Sequence, residues 1–449
     1  MDKYFIITYG CQMNISDSER LSSVLEDMNY IKSSSINEAD LIAVNMCSVR
    51  QTAVDRVHGL GQKFSKLKKQ NQNIKTVLTG CILKKNKKKF AVIFDYVIDI
   101  KDIIRLPEIL KISSAQKIRE REFFMQGNYL DIAPKYSNEF SANVPIMTGC
   151  NNFCAYCVVP YSRDREISRP ANEIIKEIKN LVKNDYKEIW LLGQNVNSYN
   201  GETPNPEPQT PNKSKIPSQK AIKFPKLLRM INNIPGNFWI RFTSSHPKDF
   251  SDELIKTMAS CKKIMPYLNL PVQSGDNNVL KSMNRHYTVL QYKAIIKKIR
   301  EAIPDISLST DVIVGFPGET KKQFGNTAKL FREVKFDMAY INKYSPRPGT
   351  AASKIKDNVL PAEKKRREKI LTKILKTTAL SHNKKLIGKK ITVLIDSQKN
   401  NIYFGKNEQY KTIKITRNLK PENKKMTGEF VNVKITKSQE WALEGRLIL

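Results

Sequence analysis

The residues best suited to chemistry are three closely spaced cysteines, Cys150, Cys154 and Cys157. They follow the apolar run Val144-Pro-Ile-Met147, where a strand would give way to a loop. Three thiolates can bind three irons of a cubane cluster and leave the fourth iron open, whereas a structural zinc site usually has four ligands. The alternatives are a zinc site without its fourth ligand or three buried thiols, and no histidine follows closely enough to complete such a site. The spacing therefore favours an iron–sulfur centre.

The C-x3-C-x2-C spacing of these cysteines resembles that of the radical S-adenosylmethionine (SAM) enzymes. In that superfamily the open iron binds SAM, which is cleaved to a 5′-deoxyadenosyl radical. The resemblance implies a 4Fe–4S cluster on Cys150, Cys154 and Cys157, with SAM as a second cofactor. Cofactors carry radical chemistry that side chains cannot supply, and the sequence shows no competing Ser/His/Asp or Cys/His arrangement.

Three further cysteines follow predicted strands in the first part of the chain. The strands are 4–8, 39–45 and 75–79, and the cysteines after them are Cys11, Cys47 and Cys81. Because the carboxyl ends of parallel strands line one crevice of an open α/β sheet, these cysteines can converge despite their separation in sequence. They are predicted to form a second three-thiolate site. The alternative is that each is a small apolar residue at a buried strand end.

The surroundings of these cysteines resemble the N-terminal domain of the methylthiotransferases. The matching motifs are Gly10-Cys-Gln-Met-Asn14, Asp17-Ser-Glu19, Asn45-Met-Cys-Ser-Val-Arg50 and Thr79-Gly-Cys81. In that family three such cysteines hold a second 4Fe–4S cluster, so the resemblance implies two clusters. Gln-Met-Asn after the first cysteine is similar to the tRNA branch (MiaB type), whereas the ribosomal-protein branch typically has Pro-Lys-Asn and the threonylcarbamoyl-adenosine branch Lys-Val-Asn.

Six predicted strands in the middle of the chain alternate with helical stretches, which predicts a partial (β/α)6 barrel. The strand signals start from Val144, and the strand ends are 147–150, 189–194, 238–244, 265–270, 311–314 and 338–341. A polar motif follows each strand, so all six motifs lie on the C-terminal rim where barrel enzymes build their sites.

Several rim residues are candidates for binding SAM. Gln273 and Ser274 offer hydrogen bonds to its ribose or carboxylate, and Ser244 begins another rim motif. Gly315 and Gly318, in Gly-Phe-Pro-Gly, allow close approach of the backbone to a ligand, although such a turn after a strand is equally often only a turn.

Arginines on the rim are candidates for contacting substrate. Arg347 could pair bidentately with a phosphate or carboxylate. Arg163, just beyond the cysteines, could meet SAM or the RNA backbone, and a surface ion pair with Glu166 is the alternative. The methylthiotransferases usually have Gly at the position of Asp164 and often His at that of Asn269, so the fine contacts of these loops depart from the family pattern.

Near the end of the chain, the residue pattern predicts a long helix over 362–383. Five short runs rich in β-branched residues follow and predict the strands of a small β-barrel. Residues 362–449 contain 22 Lys and Arg against 8 Asp and Glu, a net charge of +14. This segment resembles the RNA-binding TRAM module that ends the methylthiotransferases.

Composition agrees with an RNA-modifying enzyme. The formal net charge of +34 over 449 residues favours a polyanionic partner, although lysine enrichment of the whole chain is an alternative explanation. Seven cysteines make a poor disulfide framework and fit reduced, metal-binding thiols. Since no apolar run could span a bilayer and the N-terminus has no secretory signal, we expect a cytoplasmic protein without a membrane partner.

The sequence thus predicts an α/β protein of three domains. They are an N-terminal open α/β sheet domain (1–118), a partial radical SAM barrel (136–375) and a TRAM-like β-barrel (380–449). The resemblance implies methylthiolation at C2 of N6-isopentenyladenosine at tRNA position 37. We expect tRNA, a reductant protein such as flavodoxin and a sulfur source as partners, and a monomer. The alternatives are threonylcarbamoyl-adenosine or a ribosomal protein as substrate, or a non-catalytic iron–sulfur RNA-binding protein.

Overall fold

A computed structural model describes residues 1–49, 51–111, 128–201, 221–400, 402–416 and 426–448. These residues fold into two compact units. The first unit comprises Met1–Asn138, Thr148–Asn152 and Cys157–Ile167, and the second comprises Glu139–Met147, Phe153–Tyr156 and Ser168–Leu449. Arg50 of the Asn45–Arg50 motif, residues 112–127 near the boundary of the first two predicted domains, and residues 202–220 lie outside the described residues.

A parallel sheet forms the centre of the first unit. Its strands are β1 (Lys3–Tyr9), β2 (Ile31–Lys32), β3 (Leu41–Cys47), β4 (Lys75–Cys81) and β5 (Tyr96–Val97). They pair in the order β2-β1-β3-β4-β5, all parallel. Every residue of β3 is buried, as expected for a strand covered on both faces by helices.

Helices of the first unit follow these strands as the alternating pattern predicts. They are α1 (Gln12–Asp27), α2 (Gln51–His58), α3 (Leu60–Gln70), α4 (Lys87–Phe90) and α5 (Leu106–Lys111). The short helix α6 (Val159–Ser162) of this unit lies after the cysteine triplet instead. Buried Phe64 and Phe90 from α3 and α4 pack with Val44 and Leu78 of the sheet in one core.

The second unit begins with six parallel strands. The strands of the barrel are β6 (Ser141–Pro145), β9 (Glu188–Leu192), β12 (Trp239–Phe242), β13 (Tyr267–Asn269), β14 (Ser307–Val314) and β15 (Met338–Lys343). They form two parallel sheets, β12-β9-β6 and β13-β14-β15, joined by a parallel bridge between Ile240 and Ile264. Among the described strands β6 and β15 do not pair, so the barrel is open, which confirms the predicted architecture.

Helices connect the barrel strands. They are α7 (Ala171–Lys183), α8 (Phe224–Asn232), α9 (Asp252–Ser260), α10 (Asn277–Ser282), α11 (Val289–Ala302) and α12 (Lys321–Val334). Two-residue strands also occur: β7 (Met147–Thr148), β8 (Ile167–Ser168), β10 (Asn200–Gly201) and β11 (Ile222–Lys223). Capping boxes formed by Thr288 with Gln291 and by Thr320 with Gln323 start α11 and α12, because each side chain satisfies a free backbone N–H of the other.

A long helix and a closed barrel complete the second unit. They consist of α13 (Pro361–Lys384), β16 (Lys390–Lys399), β17 (Ile402–Asn407), β18 (Thr412–Thr416), β19 (Phe430–Ser438) and β20 (Ala442–Leu447). The strand order β16-β17-β18-β20-β19 closes on itself around a core that includes Val393, Ile413 and Val433. The predicted five-stranded β-barrel is confirmed.

Arg241 of β12 attaches this small barrel to the larger one. Its Nη1 and Nη2 donate hydrogen bonds of 2.7 Å to the backbone carbonyls of Glu408 and Asn407, and its Nε donates to Glu188 at 2.6 Å. The ring of Tyr410 lies 5.1 Å from the guanidinium carbon. Arg241 is buried, and its bonds to Glu188 and Asn407 are buried while that to Glu408 is partly buried.

No helix among the residues that the structure describes combines the length and the apolar character needed to cross a bilayer.

Candidate functional site

The N-terminal cysteines lie at the carboxyl ends of three adjacent parallel strands. Cys47 and Cys81 are the last residues of β3 and β4 and stand opposite each other in the strand register. Cys11 follows β1, the other neighbour of β3, and precedes the first turn of α1. The sheet therefore brings the three cysteines to one edge, as the sequence predicted.

Asn14 links Cys11 to the end of β3. Its Oδ1 accepts hydrogen bonds from the backbone N–H of Cys11 at 3.2 Å and from the Cys11 thiol at 3.5 Å. Its Nδ2 donates to Asn45 Oδ1 at 2.9 Å and to the carbonyl of Met46, the residue before Cys47, at 3.3 Å. Gly10 leaves room for this side chain, since an added Cβ would lie 2.1 Å from Asn14 Oδ1. The Gln-Met-Asn motif thus serves to position Cys11.

The thiols and their surroundings suit metal ligation. A hydrogen bond with the Cys47 thiol and burial raise the pKa of Cys81, while the Arg163 guanidinium acts in the opposite direction. Ser48 Oγ and Thr79 Oγ1, both near these cysteines in sequence, are buried with no hydrogen-bond partner among the described residues. Reduced cysteines together with unsatisfied buried polar atoms fit a site that receives a further group.

Among the described residues, no group of three or more His, Cys, Asp or Glu side chains is arranged to hold a single metal ion. The thiolates of a cubane cluster bind separate irons and need not meet at one point.

Arg163 occupies the interior of the first unit. Its Nε donates to Cys81 Sγ at 2.9 Å, its Nη1 to the Tyr129 hydroxyl at 3.1 Å and its Nη2 to Asp17 Oδ2 at 2.5 Å. The side chains of Arg163 and Asp17 are 2% and 1% exposed. The ion-pair partner of Arg163 is thus the buried Asp17, and the pair does not lie on the surface as the alternative with Glu166 would require. The predicted contact with SAM or RNA stays a prediction, and the structure instead gives this guanidinium three buried protein partners.

Of the cysteine triplet, Cys150 and Cys157 belong to the first unit and Cys154 to the second, and each is described within its own unit. Within the first unit, the Cys150 N–H donates to the Asp164 carbonyl at 3.3 Å, and Asn152 Nδ2 lies 3.6 Å from Cys150 Sγ. Gly149 has a φ of +80°, and a Cβ there would lie 2.0 Å from the Arg165 carbonyl oxygen. Glycine is therefore required for the tight turn that presents Cys150.

Within the second unit, a buried arginine contacts Cys154. Arg285 Nη1 lies 3.5 Å from Cys154 Sγ, and its Nη2 donates to the Pro271 carbonyl at 2.9 Å. The backbone around Cys154 is fixed by a hydrogen bond from the Ala155 N–H to the Met283 carbonyl at 2.9 Å. Nothing in the sequence pattern pointed to Arg285 or to Tyr129, because Arg285 reaches Cys154, and Tyr129 reaches Arg163, only through tertiary packing.

Polar atoms without partners gather on the rim of the large barrel. They follow β9, β12 and β15 and are buried with no hydrogen-bond partner among the described residues: Gln194 Oε1, Asn195 Oδ1, both amide atoms of Asn197, Ser245 Oγ and the Tyr344 hydroxyl. Buried polar groups are normally satisfied by protein, water or ligand. These atoms could therefore hydrogen-bond water or the polar groups of a ligand, and both amide atoms of Asn197 are among them.

Side chains of α13 pack against the Gly-Phe-Pro-Gly turn and stabilise it. Gly315 has a φ of +69°, its N–H donates to Glu319 Oε2 at 2.6 Å, and a Cβ there would lie 2.4 Å from Lys364 Cγ. Arg367 of α13 bonds the same Glu319 oxygen at 2.6 Å. Gly318 has a φ of +83° and open space around its Cα. Close packing thus accounts for the first glycine and backbone conformation for the second.

The other predicted SAM ligands differ in how their side chains are used. Ser274 is fully buried, and its Oγ accepts the Asp276 N–H at 3.2 Å, which is a structural use of that hydroxyl. Gln273 and Ser244 are partly exposed and both have a φ of +65°. Such left-handed backbone in a non-glycine residue is uncommon and clusters at ligand sites. SAM binding by all three stays a prediction.

The structure shows the contacts of Arg347 and Asn269 and the backbone conformation of Asp164; the latter two residues depart from the family pattern. Arg347 is half-buried, and its Nη1 donates to Ser345 Oγ at 3.2 Å. Asn269 Nδ2 donates to Ser309 Oγ at 3.1 Å and Asp311 Oδ2 at 3.2 Å. Asp164 has a φ of +61°, a conformation that glycine adopts freely and aspartate tolerates.

Comparison with known proteins shows which families and folds this chain is similar to. Models of the radical SAM superfamily, of "Uncharacterized protein family UPF0004" and of the TRAM domain match residues 144–331, 3–100 and 384–448. The fold is similar to the radical SAM methyltransferase TsrM of Kitasatospora setae, with a TM-score of 0.52 and 13% identity over 79% of this chain and 77% of that one. It is also similar to the cobalamin-dependent radical SAM enzyme OxsB, with a TM-score of 0.53 and 11% identity over 85% and 56%.

The large barrel is partial, a loop with three cysteines follows its first strand, and the radical SAM model matches this part of the chain. The chain is therefore a radical SAM enzyme. A protein of Clostridium botulinum (strain Langeland) named tRNA-2-methylthio-N(6)-dimethylallyladenosine synthase is 40% identical over 461 residues, 99% of this chain and 97% of the relative. A protein of that name from Dictyoglomus thermophilum is 39% identical, covering 100% and 99%. The chain belongs to this family of tRNA methylthiotransferases, which confirms the resemblance. Radical SAM membership implies SAM and a 4Fe–4S cluster.

Proposed function

We propose that the chain methylthiolates C2 of N6-isopentenyladenosine at position 37 of tRNA. The observation that carries the proposal is the end-to-end match, at about 40% identity, to relatives named for that reaction. The basic TRAM-like barrel supports an RNA substrate, since such a charge attracts phosphates. A tRNA substrate favours a cytoplasmic location.

We propose that two 4Fe–4S clusters serve this reaction. Cys150, Cys154 and Cys157 would hold the one that faces SAM, and Cys11, Cys47 and Cys81 the second. The placement of the latter three at adjacent strand ends, beside a buried guanidinium and unsatisfied hydroxyls, supports a second cluster. When bound, the clusters supply one-electron chemistry and iron-bound sulfur, neither of which side chains provide.

This chain's own residues would bind and orient the ligands. Asn14 and Arg163 position two of the N-terminal cysteines. The unsatisfied amides and hydroxyls of the rim would bind the polar groups of SAM or of the target nucleoside. Arg347, Gln273 and Ser244 remain proposed ligand contacts. A reductant protein and a sulfur source would act with the enzyme, which we expect to be a monomer.

Nucleoside analysis tests the proposed substrate. The chain would be expressed in a host that makes isopentenylated tRNA but lacks its own methylthiotransferase, and digested tRNA would be examined by mass spectrometry. We expect 2-methylthio-N6-isopentenyladenosine with the wild type and unmodified isopentenyladenosine with Cys154→Ala. Methylthiolation of threonylcarbamoyl-adenosine, or of a ribosomal protein instead of tRNA, would contradict the proposed substrate.

A further inference from the structure

A buried guanidinium contacts one of the three N-terminal cysteines. Arg163 Nε lies 2.9 Å from Cys81 Sγ, a direct contact. The guanidinium is held in place by Asp17 at 2.5 Å and Tyr129 at 3.1 Å. Because both ionic side chains are almost completely buried, solvent screens their charges little. The Cys81 sulfur therefore experiences a fixed hydrogen-bond donor and a fixed positive charge.

Such a donor affects what a cluster at this edge can do. The reduction potential of an iron–sulfur cluster depends on its net charge, on hydrogen bonds to its sulfurs and on its exposure to solvent. A cation that donates a hydrogen bond to a ligand sulfur withdraws electron density and favours the reduced, more negative cluster. Asp17, the counter-ion of that cation, adds negative charge and acts in the opposite sense.

We propose that Arg163 is a positioning residue that sets the potential of the N-terminal cluster through Cys81, with Asp17 limiting its effect. The inference rests on the proposed second cluster. The reaction concerned is a one-electron reduction: an external one-electron donor is oxidised, the cluster gains one electron, and no bond to Cys81 is made or broken. A purely structural alternative is that the Arg163–Asp17 pair only fastens the segment after Cys157 to helix α1 of the first unit.

Substitutions of opposite electrical sense distinguish the two explanations. The experiment uses full-length protein carrying Cys150→Ala, Cys154→Ala and Cys157→Ala, so that any reconstituted cluster belongs to the N-terminal site. Its midpoint potential is measured by dye-mediated dithionite titration followed by electron paramagnetic resonance. Arg163→Gln should lower the midpoint potential by at least about 59 mV, which for one electron is a tenfold change in the equilibrium constant of reduction. Asp17→Asn should raise it.

Arg20→Gln is the matched control. Arg20 is as completely buried in the first unit, but its hydrogen bonds go to Ser16 and to the Leu130 carbonyl. We expect the control to leave the potential of the cluster unchanged. If Arg163→Gln fails to fold, Asp17→Asn and the control still test the predicted sign.

The possible results distinguish the role of Arg163 from the presence of the second cluster. If the triple-alanine background binds no iron, the second cluster itself is absent and the proposed cofactor set fails. If iron is bound but Arg163→Gln and Asp17→Asn leave the potential unchanged, or shift it in the same direction, Arg163 has only a structural role. Opposite shifts with unchanged iron content support the inference.

Discussion

Each cysteine site contains one sulfur in contact with a buried arginine, Arg163 at Cys81 and Arg285 at Cys154. Arginine stays charged in almost any environment and its planar fork can serve several acceptors at once. Here each guanidinium bonds two oxygen acceptors in addition to the sulfur. The same device thus recurs in the two units, although the loops that carry it are unrelated in sequence.

Asp164 shows how a departure from the family pattern is tolerated. Its left-handed backbone costs most side chains roughly 1 to 2 kcal/mol, and its carboxylate also pairs with Lys101 at 2.7 Å on the surface. We predict that Asp164→Ala lowers the free energy of unfolding by about 1 kcal/mol more than Asp164→Gly does, because only alanine keeps the backbone cost. Urea unfolding of the cluster-free protein measures both. Equal losses would show that the ion pair, and not the backbone, decides stability at this position.

His246 gives the protein a component of acid sensitivity. Burial and the nearby positive charge of Arg285 lower the pKa of His246 to about 2. In the unfolded chain histidine titrates near 6.5, so the unfolded state binds the extra proton below that pH. Stability from neutral His246 is therefore complete above about pH 6.5 and is lost as the pH falls, by up to about 1.4 kcal/mol per unit.

We predict that His246→Asn reduces this loss between pH 7 and pH 5, while keeping an acceptor for the Lys248 N–H that His246 Nδ1 now binds. The measurement is the urea midpoint at several pH values. An unchanged pH dependence would mean that other groups dominate acid unfolding.

At the scale of elements, α13 connects the small barrel with the rim of the large one. Near its start, Arg367 and Lys364 bond Glu319 and the Tyr344 carbonyl on the rim. At its end, Asn383 donates to the backbone carbonyl of Gln439 in the small barrel at 2.8 Å. One helix thus carries structural support for both the Gly-Phe-Pro-Gly turn and the small β-barrel.

Glu319→Gln should disturb the turn that this helix supports. The substitution removes the charge that receives both the Gly315 N–H and Arg367, and loss of a charged hydrogen bond costs about 2 kcal/mol. We predict lower thermal stability and weaker SAM binding by calorimetry on reconstituted protein. Glu363→Gln is the control, because Glu363 pairs with the same arginine away from the turn. Equal loss of SAM affinity in both variants would contradict a specific role of the turn.

The sequence predicted elements well where one rule decided the outcome. Strands β1, β3 and β4 were placed within two residues because buried apolar runs ending in a glycine or cysteine leave little choice. The start of β14 was placed four residues late, since Ser307 and Ser309 are polar in sequence but buried among other strands.

The hydrogen-bond partners of buried side chains could not be predicted from the sequence. Arg163 was expected at a ligand, yet its partners are 146 residues away at Asp17 and 82 residues away at Cys81. Strand order can predict which cysteines share an edge, whereas a long side chain can turn inward or outward with no trace in local sequence. The cysteine positions were therefore accessible from sequence, and the charges that surround them were not.

At the scale of the whole molecule, charge is concentrated toward the C-terminus. Lys434 and Lys437 are exposed on β19 of the small barrel. We predict that replacing both by Gln weakens tRNA binding and reduces the dependence of log K on log salt concentration by about one unit for each phosphate that the protein no longer neutralises. Filter binding of unmodified tRNA at several salt concentrations measures this.

Lys256→Gln with Lys262→Gln is the matched control, since both lysines are also exposed but belong to the large barrel. This pair should leave the salt dependence nearly unchanged. An equal reduction with both pairs would mean that the overall positive field, and not the small barrel, attracts the RNA.

The most direct test of the account is the amount of iron and sulfide per chain after anaerobic reconstitution. We predict about eight irons in the wild type and about four when Cys11, Cys47 and Cys81 are all replaced by Ala. Cys261→Ala is the control and should keep about eight, because that buried cysteine lies outside both sets. Four irons in both the wild type and the triple variant would contradict the account, since the N-terminal cysteines would then hold no cluster.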